Sequence, residues 1–383
     1  MRRVTSDEGP GSLLEQRIAY AARHPADDWL ALHENVPEWP AGEVPEVLAA
    51  PRRLDEAVAY APATGEPELR ALVAELETAR QGTPIGIDNV VITAGSLHGV
   101  HLAAGVSRGR VALVDGPVIA SIAHLLRREG LEPVWLGRDH DAAAVAAPFG
   151  EDLALIYVNS PNNPTGAIAG RARIDELRAI ARRHDAVVVV DAVYDWFAPA
   201  GLATHALLGD PTLADTVYVN SVSKGHGAPG LRVGWTLAGA SRAFATAVAI
   251  EQEMIAVSGA MQAAAAALLR AGNAPLVARV AAHRAMLADR WPQELPGRLD
   301  LPDAVPHALL HLPGLDADLL ADGLLVERRM TLVTAGNYRG LDGDFLRIPL
   351  GLPAAVLEAA IARLAGALPE WREADAGAVP IVR

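Results

Sequence analysis

Lys224 stands between Ser223 and Gly225, just beyond the apolar Val217-Tyr218-Val219 run. Small neighbours leave a primary amine room to reach a carbonyl carbon and form a Schiff base. Asp191 ends Val187-Val188-Val189-Val190, and a carboxylate at the end of a buried strand is costly unless it meets a cation. Gly95-Ser96-Leu97 follows Val90-Val91-Ile92 and opens a helical pattern, so its backbone N–H groups and the helix dipole can receive an anion. Ser221 and Arg232 add a hydroxyl and a guanidinium fork suited to a phosphate. Taken singly, each has an ordinary use: a solvated lysine, an aspartate or serine helix cap, a surface arginine.

These residues follow apolar runs that read as strands: residues 90–92, 111–114, 133–136, 153–158, 187–190, 217–219 and 233–237. Amphipathic segments separate them, such as residues 174–184, where Ile174, Leu177, Ile180 and Ala181 recur at helical spacing. Strands alternating with helices imply an α/β fold with a mostly parallel sheet flanked by helices. Ligands then bind at the carboxyl ends of the strands, where these side chains lie. From about residue 273 the pattern changes to a helix over 275–291 and short strands at 309–312 and 346–348. That predicts a smaller α+β domain over 273–383, joined by an N-terminal arm, 1–45, whose Pro37, Pro40 and Pro45 keep it extended. Residues 46–272 form the large domain.

The order of four segments adds a family to this chemistry. They are Asn159-Ser160-Pro161-Asn162-Asn163-Pro164-Thr165-Gly166, Asp191-Ala192-Val193-Tyr194, Ser221-Val222-Ser223-Lys224 and Gly230-Leu231-Arg232-Val233-Gly234. In them the chain resembles the class I/II, fold type I, pyridoxal-phosphate-dependent aminotransferases. Within that class, His33-Glu34-Asn35-Val36-Pro37, Asp191-x-x-Tyr194-x-x-Phe197 and Leu346-Arg347-Ile348-x-x-Gly351 look most like the histidinol-phosphate aminotransferase subgroup. The resemblance implies pyridoxal 5′-phosphate carried on Lys224, its ring nitrogen on Asp191 and its ring hydroxyl on Asn163 and Tyr194. Val193 is implied on one ring face, and Gly95, Ser96, Leu97, Ser221 and Arg232 around the phosphate. Tyr60 is implied to reach the phosphate of a second subunit, so that a homodimer completes each site. Arg347 is implied to grip the substrate carboxylate, with Asn163, Asn35 and Glu34 beside the substrate.

Three departures matter. Relatives place an aromatic over the cofactor ring where Gly116-Pro117-Val118-Ile119 stands, so Ile119 gives apolar cover without stacking, losing about 1 kcal/mol. Thr334 occupies the place of an arginine that serves phosphorylated substrates, and Pro306-His307 replaces a glycine pair. Together these point away from histidinol phosphate and toward a specialised amino acid. Asp27, Asp28 and Glu34 read first as solvated charges, and alternatively as carboxylates that select a cationic side chain, basic or arginine-derived. Histidinol-phosphate-type transamination is the first alternative; a lyase, decarboxylase or cyclase on the same fold is the second.

Composition excludes other classes. The 383 residues carry a net charge of −13 and include no cysteine. The charge repels phosphate backbones and anionic lipid, which argues against nucleic acid, a membrane surface or a DNA-bound regulator. Absence of cysteine removes disulfides, thiolate metal sites and cysteine nucleophiles. The most apolar stretch, residues 255–269, contains Ser258 and Gln262, is too short to span a bilayer and fits a buried helix. With an N-terminus lacking a signal-peptide pattern, this points to a soluble cytoplasmic protein. His98/His101 and His307/His311 have metal-like spacing but no carboxylate at a matching offset, so no metal is expected.

Overall fold

The structure, a computed structural model, describes residues 4–5, 12–46, 59–137, 140–199, 212–294, 297–341 and 343–376. The chain divides into two compact units, 39–276 with 303–305, and 1–38 with 277–302 and 306–383. Residues 39–45 and 273–276 therefore group with the larger unit, whereas the sequence places the junctions at 45/46 and 272/273. Trp39 shows why: its indole N–H donates to the His226 carbonyl at 3.1 Å. The expected tail, 376–383, lies outside the described residues beyond Ala376.

The larger unit is a seven-stranded sheet. In chain order its elements are α1 (Pro67–Gln81), β1 (Val90–Thr93), α2 (Ser96–Gly105), β2 (Val111–Asp115), α3 (Ala120–Arg128), β3 (Glu132–Leu136) and β4 (Leu153–Asn159). There follow α4 (Arg171–Arg183), β5 (Val187–Asp191), β6 (Thr216–Ser221), α5 (Val222–Gly225), β7 (Gly234–Leu237), α6 (Ala240–Met254) and α7 (Gly259–Ala271). The strand order is β1-β7-β6-β5-β4-β2-β3. Only β7 runs antiparallel to its neighbours, pairing Ser221 with Gly234 on one side and Thr93 with Gly234 on the other. Both faces of the central strands are covered: Val188 and Val190 pack into one apolar cluster, Val187 and Val189 into the other. Two-sided burial explains why these strands read as continuous valine runs.

The run at 255–269 is not one helix. Ile255 takes φ +70° as α6 ends, and α7 begins only at Gly259, after Ser258. Among the described residues no helix is long and apolar enough to cross a membrane.

In the smaller unit the four-stranded antiparallel sheet has order β8-β9-β11-β10, built from β8 (Arg298–Asp300), β9 (His307–His311), β10 (Val333–Thr334) and β11 (Phe345–Pro349). Helices Leu13–Arg23 and Ala317–Arg328 are tied together by a buried arginine. Arg17 donates from Nε to Asp322 Oδ1 at 3.0 Å and from Nη2 to Asp318 Oδ1 at 2.9 Å.

Candidate active site

Parallel strands deliver their carboxyl ends to one edge, and in the larger unit that edge collects Asn159 from β4, Asp191 from β5 and Ser221 from β6. Asn159 is the stitch between them: its Nδ2 donates to the Asp191 carbonyl at 2.9 Å and its Oδ1 accepts from Asn163 N–H at 2.7 Å. Asn163, Val193 and Tyr194 are buried beside it. Lys224, on the short α5, is half-buried, and its ammonium acts electrostatically on Asp191.

Burial pushes the Asp191 carboxyl above the ordinary carboxylate range. The Tyr157 hydroxyl, which donates to Oδ2 at 2.8 Å, the Val193 N–H at 3.3 Å and the Lys224 charge all pull it back. Burial raises the Tyr157 phenol well above its usual value, so it acts as a donor. A desolvated carboxylate held this way is a receptor for a cation presented by a ligand.

The opposite side of the same edge is suited to an anion. Gly95 caps α2 with φ +92° and no side-chain cap, leaving the first helical N–H groups to an external acceptor. Arg232 turns its guanidinium to this end, donating from Nη2 to the Ala94 carbonyl at 2.9 Å. A Cβ on Gly95 would lie 2.5 Å from that Nη2. Arg232 also holds φ +51°, a left-handed conformation costing about 1 kcal/mol for a residue with a side chain. Gly234 lets the strands close: a Cβ there would lie 2.7 Å from the Gly95 carbonyl carbon. Ser221 caps α5, its Oγ accepting from Ser223 N–H at 3.3 Å.

The larger unit thus brings together Gly95, Ser96, Asn163, Asp191, Val193, Tyr194, Ser221, Lys224 and Arg232. The Leu97 side chain points outward, 45% exposed, leaving its backbone for the helix end. Ile119 caps α3 and packs partly against the apolar cluster on that side of the sheet. Tyr60 is 82% exposed and takes no place in this group within one chain.

Arg347, Asn35 and Glu34 belong to the smaller unit. Arg347, on β11 between Leu309 and Val333, is buried. Its Nη1 donates to the Tyr338 hydroxyl at 3.1 Å and its Nη2 to the His33 carbonyl at 2.7 Å. Asn35 Nδ2 donates to His307 Nδ1 at 2.8 Å. The Glu34 side chain is 59% exposed, with His33 Nε2 3.7 Å away. Asp28, by contrast, is engaged by Arg329 and Arg363, so it is not the open carboxylate the sequence suggests. Thr334 is buried, donating to Asp318 Oδ1 at 2.5 Å and accepting from Arg17 Nη1 at 3.3 Å. The histidine pairs do meet carboxylates, from distant positions: His98 and His101 meet Glu253, and His311 meets Asp300. Among the described residues no His, Asp or Glu group is arranged to hold a metal.

The sequence reading missed Tyr157, Asn159 and Tyr338. Asn159 carries a usable signal, since it ends a strand; Tyr157 lies inside one and reads as core.

The family model for aminotransferase class I and II matches residues 27–364. The chain is a class I/II aminotransferase. The aminotransferase is 36% identical over 353 residues to the 3-methylarginine biosynthesis aminotransferase ArgM of Streptomyces arginensis, covering 90% of this chain and 93% of that protein. It is 31% identical over 361 residues to the L-aspartate:5-guanidino-3-methyl-2-oxopentanoate transaminase of Pseudomonas syringae pv. syringae, covering 91% and 92%. Its fold matches the crystal structure of aspartate aminotransferase from Thermotoga maritima with a TM-score of 0.82, at 22% identity, over 95% of this chain and all of that one. The aminotransferase is a fold type I enzyme dependent on pyridoxal phosphate, and the donor set fits that group: a desolvated acid for a ring nitrogen, an amine for a carbonyl, and an uncapped helix end with a guanidinium for a phosphate.

Proposed function

We propose that the enzyme moves an amino group between an L-amino acid derived from arginine and a 2-oxo acid, as a cytoplasmic homodimer. Pyridoxal phosphate, when bound, supplies an electron-withdrawing ring that stabilises negative charge at the substrate Cα. Lys224 Nζ is the attachment amine and then the base that takes the Cα proton and returns it on the other side of the transfer. Asp191 holds the ring nitrogen protonated, with Tyr157 keeping the carboxylate ionised. Asn163 and Tyr194 donate to the ring hydroxyl, and Val193 and Ile119 give apolar cover. Ser221, Arg232 and the Gly95-Ser96-Leu97 helix end take the phosphate. Tyr60, exposed in one chain, is assigned to the phosphate of the second subunit.

Arg347 takes the substrate carboxylate through its fork. Glu34, the open carboxylate next to the His33 carbonyl that orients Arg347, takes the guanidinium. Supporting the substrate class are two relatives whose names concern guanidino compounds. A buried Thr334 supports it too, because the Arg17 guanidinium beside it is itself buried and ion-paired with Asp318 and Asp322, not open to a substrate phosphate.

The observation that carries the reading is the buried carboxylate of Asp191 at the carboxyl end of β5, held by the Tyr157 hydroxyl at 2.8 Å. A panel of amino donors and 2-oxo acids, read by mass spectrometry, tests it. Arginine and 3-methylarginine are expected to give the matching guanidino 2-oxo acids, and Glu34→Gln to raise their KM about tenfold while neutral donors change little. Release of ammonia or carbon dioxide in place of amino transfer, or full activity of Lys224→Ala, refutes it.

A further inference from the structure

Beneath the Lys224 turn, the larger unit buries a group of charges that the amino-transfer reading leaves without a task. Arg80 of α1 donates from Nη2 to Asp195 Oδ2 at 2.7 Å. The same oxygen accepts from the Tyr218 hydroxyl at 3.3 Å, and that hydroxyl accepts from Asn220 Nδ2 at 2.9 Å. Glu77 flanks the guanidinium, 3.7 Å from Nε, and accepts from Trp235 Nε1 at 3.0 Å. Two carboxylates and one guanidinium inside a core are not an economical source of stability, because well-packed apolar side chains do as well or better. Such a group is better explained by what it holds in place.

What it holds is Trp196. The Arg80 guanidinium lies over the Trp196 ring, 4.0 Å from its centroid. The same ring meets Gly225 so closely that any Cβ there would collide with it, and meets His226 edge-on at 4.6 Å. Trp196 follows Tyr194 and Asp195, and Gly225 and His226 follow Lys224. One planar group is therefore packed between an ion-paired guanidinium and the backbone turn that carries the amine.

We propose that Arg80 is a positioning residue for Lys224 and Tyr194: anchored by Asp195 and Glu77, it clamps Trp196 against Gly225 and fixes the two segments to each other. The amine and the phenol reach their ligand from separate short segments, α5 and the turn that follows β5. A misplacement of about 1 Å at either group is enough to lower rate and cofactor retention severalfold or more. Arg80 itself needs no contact with substrate or cofactor for this.

The inference rests on Lys224 as the attachment amine, and the experiment separates the two. Borohydride reduction of the wild-type holoenzyme, followed by peptide mapping, tests whether Lys224, the only lysine in the sequence, carries the cofactor. Two variants then probe the clamp: Trp196→Leu, and Arg80→Met combined with Glu77→Gln so that fewer carboxylates are left unpaired. Both are expected to release bound pyridoxal phosphate about tenfold faster and to lower kcat similarly, with KM for the amino donor within about twofold. A purely structural Arg80 would lower the melting temperature of the folded holoenzyme and leave release rate and kcat unchanged within about twofold, and that result overturns the proposal. If the double variant does not fold, Trp196→Leu decides by the same two measurements. Absence of reduced cofactor on Lys224, the only lysine in the sequence, overturns both readings; label at Lys224 with unchanged release overturns only this one.

Discussion

Tyr157→Phe removes one oxygen atom and tests how Asp191 is kept ionised. The Tyr157 hydroxyl donates to Asp191 Oδ2 at 2.8 Å with both groups buried, and phenylalanine fills nearly the same volume. Among the described contacts this leaves the Val193 N–H at 3.3 Å and the Lys224 charge to favour the ionised form against burial. A hydrogen bond to a charged group contributes about 1.5–3 kcal/mol, and 1.4 kcal/mol is a factor of ten. The affinity for pyridoxal phosphate should therefore fall by about 10- to 100-fold, as measured by absorbance titration of the cofactor-free protein. The sign with pH follows from the same contact. Without the donor, Asp191 titrates higher than in the wild type, so the defect is largest at low pH and shrinks as rising pH ionises the carboxylate in both proteins. Affinity within about twofold of wild type at every pH, or a defect that grows with pH, would refute the role of Tyr157. Asp191→Asn provides the control: it should lose affinity at all pH values.

Arg347→Lys should raise KM for amino donors by about 30-fold or more, by loss of the bidentate fork, and leave cofactor affinity unchanged in the same titration. Gly95→Ala places a methyl group 2.5 Å from Arg232 Nη2 on a backbone at φ +92°; the expected result is at least tenfold weaker binding of pyridoxal phosphate but a smaller effect on the phosphate-free aldehyde. Among the described residues the buried His226 has no hydrogen-bond partner for either ring nitrogen, and burial together with the Arg80 charge lowers it to about 3. The unfolded chain therefore takes up a proton below 6.5 that the folded chain refuses. Stability should drop by up to about 1.4 kcal/mol per pH unit over that range, and denaturant melts of His226→Leu should show a correspondingly flatter pH profile.

Much of the site was legible because its residues sit in short segments at strand ends, where type and order carry the information. Lys224 and Asp191 follow apolar runs and Arg232 sits in a turn, so their types and places stood out, while Asn163 was marked only by the resemblance of its segment to the family. What was not legible depends on pairing across the chain. Tyr157 reads as one more apolar position of β4, and nothing local says that its hydroxyl ends beside Asp191. Arg80 and Asp195 are separated by more than a hundred residues, and each alone looks like a helix or loop charge. The run at 255–269 misled for a local reason: apolar composition suggests a continuous helix, while Ile255 adopts a positive φ that composition does not announce.

The antiparallel strand β7 also sets the order in which the chain can complete its site. Ser221 and Gly234 pair across a short excursion that carries both Lys224 and Arg232, so that half closes at low entropic cost. The helix end at Gly95 joins through the pairing of Thr93 with Gly234, about 140 residues apart along the chain. During refolding, a protein can then own its amine-bearing turn while still lacking the seat for the phosphate. Cofactor capture becomes a reporter of the last long-range closure rather than of collapse, and excess pyridoxal phosphate favours the closed product by mass action without assisting the steps that precede it.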